Sequence, residues 1–120
     1  MALKTIRLDL ARSPEFPEGS ADHRYEFTAP LDPRGHIDLE GWKANRSRCT
    51  VRRFWGGEES RGHLVYRRDR QWAFHYNPDE PVEEEEPGYR FESHAFRPGE
   101  YVSITEADGV TRTFKVVSVR

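Results

Sequence analysis

The chain has little of what several classes of protein require. Its one cysteine, Cys49, has no second cysteine with which to form a disulfide within the chain, so a disulfide-stabilised fold is excluded. No apolar stretch lies near the N-terminus, and we therefore expect neither a signal peptide nor a membrane span. A reducing, cytoplasmic location is the expectation that follows from these two absences.

Motifs that carry well-understood chemistry are also missing. The sequence has no glycine loop that cradles phosphate, no zinc-ligand spacing and no dinucleotide fingerprint. No serine lies in the glycine-flanked turn of a nucleophile elbow. Cys49 lies near Arg48 and Arg52, which could lower the pKa of its thiol, but a lone cysteine in a strand is more often a packing residue. The sequence thus predicts no catalytic residue and no cofactor.

Composition predicts one folded domain with a small core. The 120 residues carry a formal net charge of −2, and 33% are charged against 35% hydrophobic. The aromatic side chains, which are 3 Trp, 5 Tyr and 7 Phe, can supply much of a core. A chain of this length is one domain by size. The balanced charge gives no reason to expect nucleic acid or a membrane as a partner of the whole surface.

Three short turns predict an antiparallel sheet. They span 32–35, 68–70 and 107–109, and each lies between two runs of alternating polarity. A three-residue loop ending in a left-handed residue places apolar side chains opposite one another, whereas a one-residue slip mixes them with charges. The predicted pairs are Leu31/Ile37, Ala29/Leu39 and Phe27/Gly41, then Tyr66/Trp72, Leu64/Phe74 and His63/His75, then Val102/Phe114, Ile104/Arg112 and Thr105/Thr111. The middle hairpin requires Arg70 to adopt a positive φ, which long side chains disfavour.

Further alternating runs complete an all-β fold. Strands over 4–10, 49–55 and 89–93 bring the total to seven to nine, while a helical turn fits within 40–48. Segments 11–22 and 78–88 are predicted loops, the second acidic and mobile. Because sequential hairpins form a meander, we predict a single small antiparallel barrel or half-open barrel over residues 1–120, with a two-sheet β-sandwich as the alternative.

Unpaired strands would suit a protein partner. The first strand and the strand beginning at Tyr89 are the predicted edges of the sheet. An exposed edge is a template for pairing with another chain, so we predict a protein partner or a homodimer through one of them.

Two sets of ligand-type side chains are candidate metal sites. His63 and His75, if directly opposed, have Cβ atoms about 4.5–5.5 Å apart and could share a transition metal. No spacing supplies a third ligand, so a pair of ordinary histidines is the alternative. His36, Asp38 and Glu40 alternate along one predicted strand, but the outer two are about 13 Å apart. We interpret those three as the polar face of a strand.

A basic and aromatic stretch over 42–72 offers a different site. From Lys43 to Arg70 nine basic and three acidic residues give a local charge of +6, which leaves −8 for the rest of the chain. The aromatic residues interleaved with that charge are Trp42, Phe54, Trp55, Tyr66 and Trp72. Basic charge beside aromatic platforms is typical of single-stranded nucleic-acid binding on small barrels, although the same rings could simply form the core. The acidic segment 79–86 could fold back on this surface or only balance its charge.

The barrel interior is the last candidate site. Arg53, Trp55, His94 and Arg112 are the predicted ligand-binding residues of an aromatic-lined cavity. Arg112 falls on the apolar face of its hairpin, which places it at the barrel rim or against a carboxylate or an anionic ligand.

The sequence favours a non-enzymatic binding or protein-interaction module. Single-stranded nucleic-acid binding through 42–72 is one alternative, and a small-ligand carrier or enzyme using the interior is the other.

Overall fold

The computed structural model describes residues 3–67, 70–76, 90–91, 95–106 and 108–120. Its elements are β1 (Leu3–Leu10), β2 (Ser20–Pro30), α1 (Leu39–Ala44), a 3₁₀ turn (Arg46–Arg48), β3 (Thr50–Trp55), β4 (Glu58–Tyr66), β5 (Trp72–His75), β6 (Arg90–Phe91), β7 (Tyr101–Thr105) and β8 (Thr111–Val119). Each strand pairs antiparallel with the next, and β8 pairs with β1, which closes the sheet into a barrel. The prediction of a small antiparallel barrel is confirmed.

The registers predicted for the second and third hairpins are confirmed. The second hairpin pairs β4 with β5, as in Tyr66 with Trp72, and Arg70 has a φ of +64° as the loop requires. The third pairs β7 with β8, as in Ile104 with Arg112. In both hairpins one face carries most of the buried apolar residues. The other face is polar in β7–β8 and mixed in β4–β5, where Val65 pairs with the buried Ala73. Local alternation was still sufficient to specify the register.

The prediction for the first hairpin is correct only at its turn. Leu31 and Ile37 pair as predicted, and Gly35 takes a φ of +85°. The strand predicted beyond Ile37 is wrong, because α1 replaces it. Phe27 pairs instead with Val51 of β3.

Helix capping explains that difference. The Asp38 carboxylate accepts a hydrogen bond from the Gly41 N–H at 2.8 Å, which makes Asp38 the N-cap of α1. Its own N–H donates to the Pro30 carbonyl at 2.9 Å. The predicted pairs Ala29/Leu39 and Phe27/Gly41 are therefore wrong. So is the interpretation of His36, Asp38 and Glu40 as one strand face.

Two further boundaries differ from the prediction. Strand β2 begins at Ser20, so only residues 11–19 of the predicted loop 11–22 lie outside strands, and Gly19 at a φ of +75° makes the turn into β2. The strand predicted from Tyr89 is described from Arg90. The predicted acidic loop 78–88 lies outside the described residues.

Barrel closure removes the predicted edge strands. Strand β1 pairs with β2 on one side and β8 on the other, and Thr5 and Arg120 exchange backbone hydrogen bonds of 2.8 and 3.0 Å. Strand β6 lies between β5 and β7. Over most of their described residues both strands are paired on each side, so the structure gives no support to the predicted homodimer or protein partner through these edges.

Aromatic rings fill the barrel. Tyr25 stacks on Phe74 at 5.2 Å between ring centroids and meets Phe114 edge-on at 5.1 Å. Phe27 contacts Phe74 and Phe96, both at 5.3 Å. A barrel of eight strands is just wide enough for side chains to fill it, which agrees with this packing. No helix in the described part of the chain is long and apolar enough to cross a bilayer.

Candidate functional site

Three of the predicted ligand-binding residues meet at one end of the barrel. This end, where β1 finishes and β4 begins, is called the Glu106 end. The Arg53 guanidinium lies 4.3 Å from the centre of the Trp55 ring, and that of Arg112 lies 5.5 Å from the same centre. The fourth predicted residue, His94, lies outside the described residues.

A buried carboxyl group organises the Glu106 end. Glu106 is 2% exposed, and its Oε2 accepts hydrogen bonds from the Tyr25 hydroxyl at 2.5 Å and from Arg53 Nη2 at 3.3 Å. Arg53 Nε donates to the Tyr25 oxygen at 3.1 Å. Burial raises the pKa of Glu106 above its ordinary value, although the Tyr25 hydroxyl and the Arg53 and Arg112 charges oppose that shift. Burial also raises the pKa of Tyr25.

Sequence reasoning missed Glu106, although the register contains the signal for it. Thr105 and Thr111 are on the outer face of the last hairpin, with their hydroxyl oxygens 3.1 Å apart. Side chains alternate between the two faces of a strand. Glu106, which follows Thr105 and precedes the turn, therefore has to face inward. The Glu106 N–H indeed donates to the Val110 carbonyl at 2.9 Å, which extends the pairing by one step.

The arginines at this end are already neutralised. Arg112 donates to both oxygens of Asp108, with the shorter contact at 3.2 Å, and lies 3.8 Å from Glu15. The Val110 N–H and Arg112 hold the pKa of Asp108 below its ordinary value. Because Arg53 is paired with Glu106, both arginines have protein carboxylates where an anionic ligand would have to bind. The Glu106 end is therefore a structural network of matched charges.

A groove at the opposite end of the barrel has a different charge balance. The Trp42 groove, as we call it, has a volume of about 410 Å³ and is lined by Trp42, Arg46, Ser47 and residues 63–67. Ligand sites span roughly 300–1,000 Å³. Among the described residues the lining includes Arg46, His63 and Arg67, of which Arg67 has other contacts, and no Asp or Glu. Of the nine basic residues counted between Lys43 and Arg70, Arg46 and Arg67 line this groove, and Arg46 is the exposed one of the two.

Helix α1 builds the floor of this groove. The Trp42 indole donates from Nε1 to the Leu64 carbonyl at 2.9 Å, which ties α1 to β4. Its ring meets Trp72 edge-on at 5.5 Å and Tyr66 at 6.4 Å, so only 6% of Trp42 stays exposed. The Arg46 guanidinium lies 4.6 Å above the same ring. Such cation–π contact holds the planar guanidinium at the mouth of the groove.

Four polar side chains of the groove have unused hydrogen-bonding capacity. They belong to Arg46, Ser47, His63 and Tyr66. None of them makes a side-chain hydrogen bond or ion pair within the part of the chain that the structure describes. A basic group without a counter-charge beside aromatic rings can bind an anionic ligand, which the paired arginines of the Glu106 end cannot do as readily.

The remaining aromatic residues of 42–72 point elsewhere. The guanidinium groups of Arg24 and Arg52 lie 4.0 and 4.8 Å from the centre of the Phe54 ring. Trp55 belongs to the Glu106 end, since it is the last residue of β3 and comes directly before the turn formed by Gly56 and Gly57. The stretch 42–72 therefore does not form one continuous surface, as a linear reading of the sequence would suggest.

Two other predicted features can be placed. His63 and His75 are directly opposed, as the predicted register required. Among the described residues no group of three or more metal-type ligands occurs, and a metal on this pair stays a prediction. Cys49 is fully buried, and burial raises the pKa of its thiol, which does not favour a nucleophilic role.

Comparison of the chain with protein-family models, curated proteins and solved structures found no match. What the protein binds has to be inferred from its own residues. The Trp42 groove is the site with unmatched charge and aromatic walls, and it is the candidate functional site.

Proposed function

We propose that the protein is a binding module that takes a nucleotide-type anion, a flat ring joined to phosphate, in the Trp42 groove. The observation that carries this proposal is the set of unmatched polar groups around aromatic rings. Arg46 has no carboxylate partner among the described residues, and neither does His63. Because the whole chain has a net charge of −2, an anionic ligand is attracted by the positive charge of this groove and not by the protein surface as a whole.

The groove residues divide between the two parts of such a ligand. A guanidinium fork matches phosphate oxygens in two parallel hydrogen bonds, which suits Arg46. Ser47 and His63 can donate further hydrogen bonds to the same phosphate. The flat ring of the ligand has the Tyr66 ring as its stacking surface, since bases stack on aromatic rings.

This proposal replaces edge-strand pairing as the mode of binding. The closed ring of strands leaves β1 and β6 paired on both sides. A groove lined by side chains remains, and its chemistry is more specific than that of a free edge.

A titration at low salt tests the proposal. The probe is a fluorescent oligothymidine of about eight nucleotides, within the roughly 4–16 nucleotides that one small barrel covers. We expect binding that weakens as salt is added. Arg46→Ala should weaken binding about tenfold, the size expected when one hydrogen-bonded charge is removed.

Arg12→Ala is the matched control. It removes the same charge from an exposed residue that follows β1 at the Glu106 end, far from the groove. The proposal is wrong if the probe does not bind at low salt, if binding does not depend on salt, or if Arg12→Ala and Arg46→Ala weaken it equally.

A further inference from the structure

Positive charge continues from the Trp42 groove along the outer wall of the barrel. A second groove, of about 480 Å³, is lined by residues 50–52 and 61–63. His63 lines both grooves, so they meet at this side chain. Arg52 and Arg61 are directly opposed on β3 and β4 and provide the basic side chains of the second groove.

The far ends of the two grooves are too distant from each other for one small ligand to reach both. Residues along a strand rise about 3.4 Å each, so Arg61 and Tyr66 of β4 are separated by about 17 Å. A single nucleotide cannot contact both residues. A flexible chain of nucleotides can place a base in the Trp42 groove and the following phosphates beside His63 and Arg61.

We infer that the ligand is a single strand of nucleic acid that leaves the Trp42 groove past His63 and crosses the outer face of β3 and β4. The inference rests on the proposed function and names the polymer among the ligands that the groove chemistry would accept. A basic track leading away from a stacking site is the arrangement by which proteins hold single strands without reading their sequence.

Glu59 is the group that this strand has to displace. Its Oε1 lies 2.5 Å from Arg52 Nη2, and its Oε2 lies 2.8 Å from Arg61 Nε. These two arginines hold the pKa of Glu59 below its ordinary value. The ion pairs are at the surface, where such pairs contribute little to stability, so phosphates can take over the arginines at small cost. Glu59 therefore weakens binding of the strand, and Arg61 strengthens it.

Two exposed substitutions of opposite sign test this inference. Each variant is titrated with the labelled oligothymidine and with labelled thymidine monophosphate. We expect the oligomer to bind at least about tenfold more tightly than the monophosphate. Arg61→Ala should weaken oligomer binding and make the slope of log K against log salt shallower by about 0.7, the value for one phosphate contact on a single strand. Glu59→Gln should tighten oligomer binding and steepen that slope.

Neither substitution should change the affinity for the monophosphate, because both residues lie outside the Trp42 groove. Thermal unfolding of both variants is measured alongside, and Arg12→Ala again controls for overall charge. The inference is overturned if the monophosphate binds as tightly as the oligomer, or if Arg61→Ala and Glu59→Gln leave oligomer binding unchanged. If Arg46→Ala still weakens binding when either of these results is found, the proposed function stands and only the single-strand inference fails. If neither probe binds, both fail.

Discussion

Replacing Gly62 with alanine should destabilise the barrel, because β4 and β5 leave no room for a side chain at that position. A Cβ on Gly62 would lie 2.1 Å from the His75 carbonyl oxygen and 2.9 Å from the Tyr76 Cα, whereas ordinary contact begins at 3.4 Å. Both atoms belong to the backbone, so the strands themselves have to separate by about 1 Å. Overpacking costs typically about 1–3 kcal/mol, and a clash with backbone belongs at the upper end. For a domain of this size that loss lowers Tm by roughly 10 °C.

Urea unfolding followed by tryptophan fluorescence measures the effect, with two controls that separate its causes. Gly99→Ala places a methyl group in open space at a φ of +94°, so it carries only the backbone penalty, about 1–2 kcal/mol. Ser60→Ala changes an exposed residue of the same strand and should stay within about 0.5 kcal/mol of the wild type. The reasoning is refuted if Gly62→Ala unfolds with the free energy of Ser60→Ala.

Two further predictions concern Glu106 and Asp38. Burial raises the pKa of Glu106 in the folded state, so the folded protein binds that proton more tightly than the unfolded chain, and stability should fall as pH rises from the ordinary pKa towards the raised one. In Glu106→Gln the free energy of unfolding, measured with urea across roughly pH 4 to 8, should fall less steeply with pH than in the wild type. Parallel plots of this free energy against pH for the two proteins would contradict the prediction. Asp38→Ala should lower the free energy of unfolding by about 1 kcal/mol, because the Gly41 N–H loses its acceptor. Asp38→Asn keeps an acceptor and should lose much less, and equal losses would show that the cap is not the cause.

Local patterns predicted the fold well where both strands of a hairpin alternate. The pairs of β7 with β8 and of β4 with β5 followed from turn chemistry and from which residues are apolar. After Ile37 the same alternation predicted a strand, but a side-chain cap at Asp38 favoured a helix. Alternation over a short polar run is a weak signal for a strand. A side chain that accepts a hydrogen bond from an N–H in the first turn of a helix is a stronger signal for a helix.

The candidate site was harder to predict, because it depends on contacts between distant segments. The structure brings Arg53, Trp55 and Arg112 together at one end of the barrel, and their role in binding a ligand stays a prediction. A carboxylate was one of the partners predicted for Arg112, whereas the pairing of Arg53 with Glu106 was not foreseen. The Trp42 groove forms only when α1 packs on β4 through the Trp42 hydrogen bond to Leu64. No periodicity within either segment reports that contact.

Closure of the barrel between β1 and β8 has a consequence for the rate of folding. Ile6 pairs with Val119, so the ring closes only when opposite ends of the chain meet. The entropy lost in bringing distant segments together has to be overcome before their contacts provide any stabilisation. The hairpins β4–β5 and β7–β8 can form from local contacts, and closure is the step that orders them into one cooperative unit. We expect folding in milliseconds to seconds, as for other domains dominated by non-local strand pairing.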